Sequence, residues 1–203
     1  MLSERLTPEM MATSDDKSNG YEDVAETFMQ ARDSWIGPTT VLRWSHSLPR
    51  GCAILDLACG HGVIAQVLID DGFEVYGVDA SAKMIEAFRN RFPKAHSECL
   101  AIEDSEFFGR TFDGVFAWGL MFLLSPDVQV AVIPKMARAL NHGGKLLFTA
   151  PAQVCSWKDA LTGRESVSLG DERYRQLLRN EGLALVGEES DEGGNHYYLA
   201  SKP

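Results

Sequence analysis

A short apolar run followed by two close glycines most constrains how this chain can fold. Residues 53–58 read Ala-Ile-Leu-Asp-Leu-Ala, and the turn Gly60-His61-Gly62 follows directly. An apolar run of this length that is bounded by glycine predicts a buried strand. The glycines allow a sharp turn, and the residues from Val63 to Asp70 carry the apolar stripe of a helix. The segment therefore predicts a strand, a tight turn and a helix in succession.

The same alternation continues along the chain. Further strands are predicted at residues 73–79, 97–100, 112–118 and 145–150, and further helices at residues 81–91, 127–140 and 171–180. Late strands at residues 183–186 and 197–200 flank a turn and predict a hairpin. Strands that alternate with helices through short links are typical of a doubly wound parallel sheet. We therefore expect an α/β, Rossmann-like, mostly parallel sheet with an antiparallel C-terminal hairpin and an N-terminal helical cap.

The 203 residues are predicted to form a single domain over residues 21–203. Residues 1–20 are polar and are predicted to be a leader, with disorder as one interpretation. Within the domain, residues 21–49 form the helical cap and residues 50–150 the ligand-binding core. Residues 151–203 supply a substrate loop, which covers the aperiodic stretch 152–170, and the C-terminal hairpin.

Charge and composition narrow the class of function. The formal net charge is −10, whereas nucleic-acid binding draws most of its affinity from a basic face. Anionic membranes are disfavoured for the same reason. The N-terminus lacks the basic start and apolar centre of a secretory signal, and the four cysteines lack zinc-ligand spacing. We expect a cytoplasmic protein with a small-molecule partner, without nucleic acid, membrane or metal; the sequence assigns no oligomeric state.

The ends of the first two predicted strands indicate a ligand site. Gly60 and Gly62 allow close backbone approach, and the helix that follows presents its N-terminus there. Asp79 ends the second strand and can accept hydrogen bonds from a ribose diol; alternatively it only caps the next helix, a role that Ser81 can also fill. These residues fit a nicotinamide dinucleotide as well as other nucleosides. Asp56 distinguishes them, because its carboxylate repels pyrophosphate and suits a ligand with an ammonium group.

Four segments together resemble the class I S-adenosylmethionine-dependent methyltransferases of the small-molecule type. They are Ile54 to Gly62, Val78 to Met84, Phe112 to Ala117, and Leu140 to Leu146. The first resembles the family's motif I, and the last resembles its junction between a helix and the fifth strand. The four segments occur in the family's order over roughly residues 50 to 150.

The resemblance implies S-adenosylmethionine as cofactor and assigns roles by position. Ala58, Cys59, Gly60 and Gly62 would line its methionine part, with Asp56 near the amino group. Asp79 would bind the ribose hydroxyls. Ala80, Met84, Ala101 and Ile102 would lie beside the adenine; Ala101 departs from the usual aspartate, for which Glu103 is the candidate replacement. Trp118 and Gly119 would border the methyl donor.

Further residues are candidates for substrate contacts or for a lid over the site. Tyr21 and Arg32 belong to the leading helix, and Arg32 is alternatively a solvated surface residue. Met121 is alternatively a core residue. Trp157 belongs to the predicted substrate loop and, with Trp118, is expected to wall the pocket. The last two candidates are His196 and Tyr197, which are alternatively ordinary strand-end residues.

The resemblance therefore predicts an enzyme that transfers a methyl group to a small-molecule acceptor by in-line displacement. Such a reaction depends mainly on positioning, and the sequence identifies no catalytic acid or base. Two alternatives stay open at this point. One is a non-catalytic module that binds S-adenosylmethionine, and the other is an NAD-dependent oxidoreductase.

Overall fold

The computed structural model describes residues 16–31 and 37–203, and within these ranges the chain forms six α-helices, a seven-stranded sheet and a two-stranded sheet. The helices are α1 (Tyr21–Ala31), α2 (Pro38–Ser45), α3 (Val63–Asp70), α4 (Ala82–Arg91), α5 (Pro126–Ala139) and α6 (Asp171–Asn180). The strands are β1 (Ala53–Leu57), β2 (Glu74–Asp79), β3 (His96–Cys99), β4 (Phe112–Ala117), β5 (Leu140–Thr149), β6 (Val154–Lys158), β7 (Glu165–Leu169), β8 (Ala184–Ser190) and β9 (His196–Ser201). None of the helices in the described part of the chain is long and apolar enough to cross a membrane.

The large sheet confirms the predicted fold class. Its strand order is β3-β2-β1-β4-β5-β9-β8, and β1 to β5 pair in parallel. β9 pairs antiparallel with both β5 and β8, which makes the predicted C-terminal hairpin the edge of the same sheet. β1 lies inside the sheet between β2 and β4, and Asp56 on it stands in register with Gly77 on β2 and Phe116 on β4. The strand order reverses at β1, as it does in Rossmann-like sheets.

Both faces of the sheet are covered by helices. One face packs on apolar residues of α5 and α6, such as Val132 and Tyr174, and the other on residues of α2, α3 and α4, such as Trp44 and Phe88. Adjacent residues of β1 alternate between these layers: Leu55 belongs to the first cluster and Ile54 to the second. Strands covered on both faces read as continuous apolar runs, which explains the composition of residues 53–58.

The prediction of a long loop over residues 152–170 is wrong, because β6 and β7 form an antiparallel hairpin there. The buried face of β7 carries Ser166 and Ser168, both almost fully buried. The Ser168 hydroxyl donates to the Pro151 carbonyl oxygen at 2.6 Å, which compensates the burial of the polar group. Since serines occupy the inward positions, the segment lacks the apolar alternation by which a strand is recognised.

The fifth strand also differs from its prediction, since it begins at Leu140 and not at residue 145. Leu140 pairs with Phe112 before the register between β4 and β5 shifts, so the strand includes the glycines Gly143 and Gly144. Lys145, the predicted first residue of the strand, pairs with Gly114. Glycine within a strand is typical of such irregularities, and here it obscures the beginning of the strand.

Candidate active site

A cavity of about 300 Å³ lies where the carboxyl ends of β1, β2 and β4 meet. This is the position at which the strand order reverses, and ligands of open α/β sheets bind at such a point. The volume is in the range of small-molecule sites. The cavity therefore occupies the strand ends from which the sequence predicts ligand binding.

The structure brings most of the predicted site residues together around this cavity. Those that line it are Tyr21, Asp56, Ala58, Cys59, Gly60, Asp79, Ala80, Met84, Ile102, Glu103, Trp118 and Gly119. Other described candidates do not line it: Gly62, Ala101, Met121, Trp157, His196 and Tyr197. Arg32 lies outside the described residues.

Asp56 is a buried carboxylate on β1. It is 3% exposed, and its Oδ2 atom has no hydrogen-bond partner among the residues that the structure describes. Burial, together with the nearby charge of Asp79, raises the pKa of Asp56 well above its usual value. An unpaired buried carboxylate costs free energy, so the site is suited to a ligand that brings a cationic hydrogen-bond donor.

Asp79, at the end of β2, fastens the glycine turn. Its Oδ2 accepts from the Gly60 N–H at 2.8 Å, and its Oδ1 accepts from the Ser81 N–H at 2.9 Å. Burial raises the pKa of Asp79, although these two hydrogen bonds oppose the rise. The side chain that caps α4 is Ser81, whose Oγ accepts from the Met84 N–H at 3.2 Å. Capping of α4 therefore does not account for Asp79, and its carboxylate lies on the cavity wall.

The turn after β1 depends on left-handed backbone conformations. Ala58 has φ 61°, an uncommon value for a residue other than glycine. Gly62 has φ 86°, and a Cβ atom there would lie 2.3 Å from Cε2 of Phe92. A Cβ at residue 62 would thus point at Phe92, and Gly62 does not line the cavity; its predicted backbone contact with the cofactor stays a prediction. Its role in the structure is to let α3 begin close to α4.

The loop after β3 forms the side of the cavity near Ala80 and Met84. Ile102 and Glu103 line the cavity, and the Lys135 ammonium donates to both of their carbonyl oxygens, at 3.1 and 3.0 Å. Ala101 is buried behind them, and its carbonyl oxygen accepts from the Asp104 and Ser105 N–H groups. Ala101 therefore shapes the loop from behind the cavity wall, while its predicted position beside the adenine stays a prediction.

Trp118 follows β4 and is held from two sides. Its Nε1–H donates to the Tyr197 hydroxyl at 2.8 Å. Gly37 lies against its ring so closely that a Cβ at residue 37 would be 2.6 Å from Cε2 of the indole. The neighbouring Gly119 N–H donates to Thr149 Oγ1 at 2.8 Å. These contacts fix the end of β4, where the resemblance expects the methyl donor.

The N-terminal helix α1 covers part of the cavity. Glu22 accepts from the Ser81 hydroxyl at 2.6 Å and from the Lys83 N–H at 3.2 Å, which ties α1 to α4. The Tyr21 hydroxyl donates to Asp159 Oδ2 at 3.3 Å, in the turn between β6 and β7. Elements from both ends of the chain therefore meet at the mouth of the cavity.

The remaining candidates lie behind the cavity wall. Met121 is fully buried in the core, and Trp157 packs on the wall residue Phe122 at a ring distance of 5.4 Å. His196 lies 3.5 Å from the Glu188 carboxylate, on the hairpin of β8 and β9. Tyr197 is fully buried, and its hydroxyl is bonded to Trp118 and Asp191. The structure therefore gives these residues packing or supporting roles.

Several lining residues were not among the predicted site residues. They include Lys17, Phe28, His61, Phe122, Asp159 and Asn195. Phe28 lies about two helical turns after Tyr21 on the same face of α1, and the two rings are 5.3 Å apart. The apolar stripe of α1 therefore indicated that Phe28 accompanies Tyr21 at the site. Asp159 and Asn195 sit in turns, whose distance from the cavity depends on tertiary structure that a linear pattern does not contain.

Known proteins match this chain in sequence and in fold. Residues 54–144 match the family described as a methyltransferase domain. Glycine N-methyltransferase of Oryctolagus cuniculus is 35% identical over 94 residues, which cover 39% of this chain and 32% of that protein. Ubiquinone biosynthesis O-methyltransferase of Coxiella burnetii (strain RSA 331 / Henzerling II) is 28% identical over 163 residues, which cover 73% of this chain and 69% of that protein. The chain thus spans about a third of the first relative's length.

A solved structure supports the fold over nearly the whole chain. Magnesium protoporphyrin IX methyltransferase from Synechocystis PCC 6803, solved with S-adenosylmethionine bound, aligns with a TM-score of 0.74 at 15% identity. The alignment covers 95% of this chain and 99% of that one. The strand order and the cavity at the switch point agree with that fold, and the family match falls on the stretch that forms them. The matched stretch includes the first three segments that carry the resemblance and the start of the fourth.

Proposed function

We propose that this protein is an S-adenosylmethionine-dependent methyltransferase that acts on a small molecule. The observation that carries the proposal is the buried Asp56 carboxylate, whose Oδ2 has no partner among the described residues, on the wall of the cavity. Asp79 lies on the same wall at the end of the adjacent strand. An ammonium group and a ribose diol are ligand groups that match these two carboxylates.

The donor set of the cavity fits the cofactor. Asp56 is an acceptor without a donor, so an ammonium group would replace the water lost on folding. Both oxygens of Asp79 already accept one backbone N–H each, yet a carboxylate oxygen has a further lone pair for a hydroxyl. Ala80, Met84 and Ile102 offer the apolar surface that an adenine ring requires.

The residues of this chain act by binding and alignment. When bound, S-adenosylmethionine supplies a methyl group on a sulfonium, which is its own leaving group. Asp56 would hold the ammonium group at the methionine end of the ligand, and Asp79 would hold the ribose in its middle. Trp118 and Gly119 at the end of β4 would border the part between them. Holding an acceptor in line with the methyl group is the main catalytic contribution that such a cavity can make.

The Cys59 thiol packs within the cavity wall and stays protonated. Burial raises its pKa well above the usual value, and the charges of Asp56 and Asp79 add to the effect. Its Sγ would lie 2.8 Å from a Cβ at residue 77, which explains why β2 carries glycine there. Cys59 is therefore a packing residue and not a nucleophile at neutral pH.

The nicotinamide alternative receives no support from the site. The chain does contain a Tyr-x-x-x-Lys spacing, at Tyr198 and Lys202, which is typical of some NAD-dependent oxidoreductases. Neither residue lines the cavity, and the Lys202 ammonium donates to the carbonyl oxygens of Ala137 and Leu140. The pair therefore stabilises the packing of β9 against α5.

We also propose that the protein acts in the cytoplasm and binds no nucleic acid. The net charge of −10 supports the absence of nucleic-acid binding, because a negatively charged phosphate backbone is attracted by a basic face. Asp56, Asp79, Glu103 and Asp159 line the cavity, with Lys17 close to Glu103 at 3.6 Å. A neutral or cationic acceptor suits such a lining better than an anionic one.

Calorimetric titration with S-adenosylhomocysteine tests the cofactor, with NAD titrated separately. We expect micromolar binding of S-adenosylhomocysteine, a loss of at least about tenfold in Asp79→Ala, and no binding of NAD. Glu192→Gln is the matched control, since Glu192 is an exposed carboxylate in the β8–β9 turn and outside the cavity. Binding of NAD alone would contradict the proposal.

Methyl transfer is tested separately from binding. The protein is incubated with S-adenosylmethionine and pools of small phenols, amines and thiols, and products are detected by a mass increase of one methyl group. We expect at least one acceptor to be methylated in a reaction that Asp56→Asn slows. Cofactor binding without any methylated product across such pools would favour the non-catalytic module.

A further inference from the structure

Asp191 collects an unusual number of hydrogen bonds for a residue in an exposed turn. It lies between β8 and β9, and Oδ1 accepts from the N–H groups of Gly193 and Asn195, both at 2.9 Å. Asn195 Nδ2 donates to both carboxylate oxygens, at 3.2 and 2.9 Å, and the Tyr197 hydroxyl donates to Oδ2 at 2.7 Å. Burial raises the pKa of Asp191, but the hydrogen bonds from Tyr197 and Asn195 outweigh it, so the pKa is lowered overall.

Tyr197 connects this carboxylate with the cavity. The side chain is fully buried on β9, and its hydroxyl donates to Asp191 while it accepts from Trp118 Nε1 at 2.8 Å. A hydroxyl has one hydrogen to donate. Because the Tyr197 hydroxyl donates this hydrogen to Asp191, it meets the indole N–H with an oxygen lone pair. The chain of bonds therefore has one polarity, from Trp118 through Tyr197 to Asp191.

Two residues at the end of these bonds line the cavity, although Asp191 and Tyr197 do not. Trp118 lines it after β4, and Asn195 lines it just before β9. One carboxylate thus holds one wall residue directly and another through a buried hydroxyl. A turn at the edge of the sheet consequently determines the shape of the central site.

We propose that Asp191 is a positioning residue for the cavity, fixing the Asn195 amide directly and the Trp118 indole through the Tyr197 hydroxyl. The Asp191 carboxylate stays ionised at neutral pH and is the acceptor in all of its side-chain hydrogen bonds. The indole is thereby held with its N–H turned to Tyr197, which leaves ring surface for the ligand. The role differs from ligand binding itself, which belongs to Asp56 and Asp79.

The same contacts fix the orientation of the Asn195 amide at the cavity wall. Its Nδ2 donates to Asp191, whereas its Oδ1 accepts no hydrogen bond from any residue in the described part of the chain. An amide whose nitrogen is committed in this way offers its oxygen to a ligand donor.

Asp191→Asn tests the positioning role with little change in shape. The asparagine oxygen can keep the backbone bonds of the turn at the Oδ1 position, while its NH₂ group would face the donors of Asn195 and Tyr197. Tyr197→Phe is the second variant, because it removes only the hydroxyl and leaves the turn intact. Glu192→Gln is the matched control for the loss of one negative charge in the same turn.

The first readout is the indole N–H resonances of the four tryptophans in ¹H–¹⁵N spectra, with that of Trp118 assigned through Trp118→Phe. We expect Asp191→Asn and Tyr197→Phe to shift the Trp118 resonance and to speed its hydrogen exchange, and Glu192→Gln to leave it in place. Because Asp191 acts through Tyr197, the double variant should shift the resonance no further than Tyr197→Phe does. An unmoved Trp118 resonance in a folded Asp191→Asn protein, or additive shifts in the double variant, would overturn the proposal.

The second readout is affinity for S-adenosylhomocysteine, which rests on the proposed function. We expect a loss of about tenfold in Asp191→Asn and in Tyr197→Phe, the effect of losing one hydrogen bond to a charged group, and none in Glu192→Gln. Wild-type affinity in all three variants would overturn the ligand-related part of the inference. Failure of the wild-type protein to bind would instead contradict the proposed function, while the resonance measurements would still decide the role of Asp191.

Discussion

At the residue scale, we expect Asp56 to lower the stability of the free protein and to raise its affinity for the ligand. Since burial raises its pKa, the folded protein binds a proton that the unfolded chain releases at lower pH. Between the ordinary carboxyl pKa and the raised value, this group makes the free energy of unfolding fall as the pH rises. We expect Asp56→Asn to remove this slope and to raise the free energy of unfolding at neutral pH by about 1 kcal/mol.

Urea unfolding at a series of pH values, on the wild-type protein and Asp56→Asn, measures this effect. Asp127→Asn is the control, because Asp127 is exposed in the first turn of α5. The same Asp56 substitution should weaken the binding of S-adenosylhomocysteine. Binding to the wild-type protein should release protons at pH values where Asp56 is protonated in the free protein. A less stable Asp56→Asn protein with unchanged pH dependence would show that the carboxylate has a partner on folding.

Gly62 illustrates how one atom can constrain the site from behind. Gly62→Ala would combine a φ of 86° with a Cβ 2.3 Å from Phe92, whose ring packs in the core beside Phe88. We expect a loss of about 2 kcal/mol or more in the free energy of unfolding, from overpacking and backbone strain together. Gly143→Ala separates the two causes, since it has φ 79° with nothing within 4 Å and should lose only about 1 kcal/mol. Equal losses measured by urea unfolding would show that overpacking is absent.

The sequence predicted at this scale the residues that sit in a local motif. Asp56, Asp79 and Gly60 lie on the cavity wall because each ends a strand or forms the turn directly after it. Gly62 and Ala101 were placed by the same motifs, but the direction in which they face depends on Phe92 and on the turn at Asp104 and Ser105. Such orientation follows from tertiary packing, which a motif does not encode.

At the scale of elements, the site depends on contacts between the two ends of the chain. Arg164, after the turn of the β6–β7 hairpin, forms an ion pair with Asp16 at 2.7 Å and donates to the Asp16 carbonyl oxygen at 3.3 Å. Its side chain also lies against Gly20, at the start of α1. The hairpin therefore holds the start of the N-terminal helix, in addition to the contacts that Glu22 makes with α4.

Arg164→Met should loosen α1 without disturbing the sheet. A partly exposed ion pair contributes about 0.2–1 kcal/mol, so amide exchange in residues 16–31 should rise by up to about fivefold. Hydrogen exchange with mass spectrometry measures the change, and β1 should exchange as in the wild-type protein. Arg179→Met, which breaks an exposed pair with Glu172, serves as the control. Unchanged exchange in α1 would show that the contacts of Glu22 and Tyr21 suffice.

The β6–β7 hairpin is also the element that sequence patterns missed. Its inward serines replace the apolar residues that would have identified β7, and Gln129 donates to the Val167 carbonyl oxygen from the neighbouring α5. The hydrogen bonds of Ser168 and of the Val167 carbonyl oxygen thus stabilise a segment that apolar periodicity does not predict, although Ser166 Oγ has no partner among the described residues. The predicted substrate loop included Asp159, but its position in a tight turn at the cavity mouth follows from this hairpin, which the sequence pattern did not show.

At the scale of the whole molecule, alternating apolar runs and glycine turns were sufficient for the architecture. The inner parallel strands β1, β2 and β4 are buried on both faces, so their sequences are distinct from the amphipathic helices between them. A sheet of this topology places its strand ends together, which made the location of the cavity predictable from the chain. The walls supplied by turns and by the N-terminal helix needed the three-dimensional structure.

Ligand binding and thermal stability should therefore be coupled through the centre of the sheet. At a concentration of one hundred times its Kd, S-adenosylhomocysteine should stabilise the folded state by about 2.7 kcal/mol, which corresponds to roughly 5–10 °C in Tm for a chain of this length. Asp56→Asn should begin from a higher Tm, because the unpaired carboxylate is gone, and should gain less from the same ligand concentration. Differential scanning calorimetry with and without ligand tests both parts, with NAD as the ligand control. An equal gain in the two proteins would mean that the ligand does not use Asp56, and a gain with NAD alone would exclude the proposed cofactor. The opposite changes in baseline and ligand response are expected only if the carboxylate that destabilises the free protein is the one that binds the cofactor.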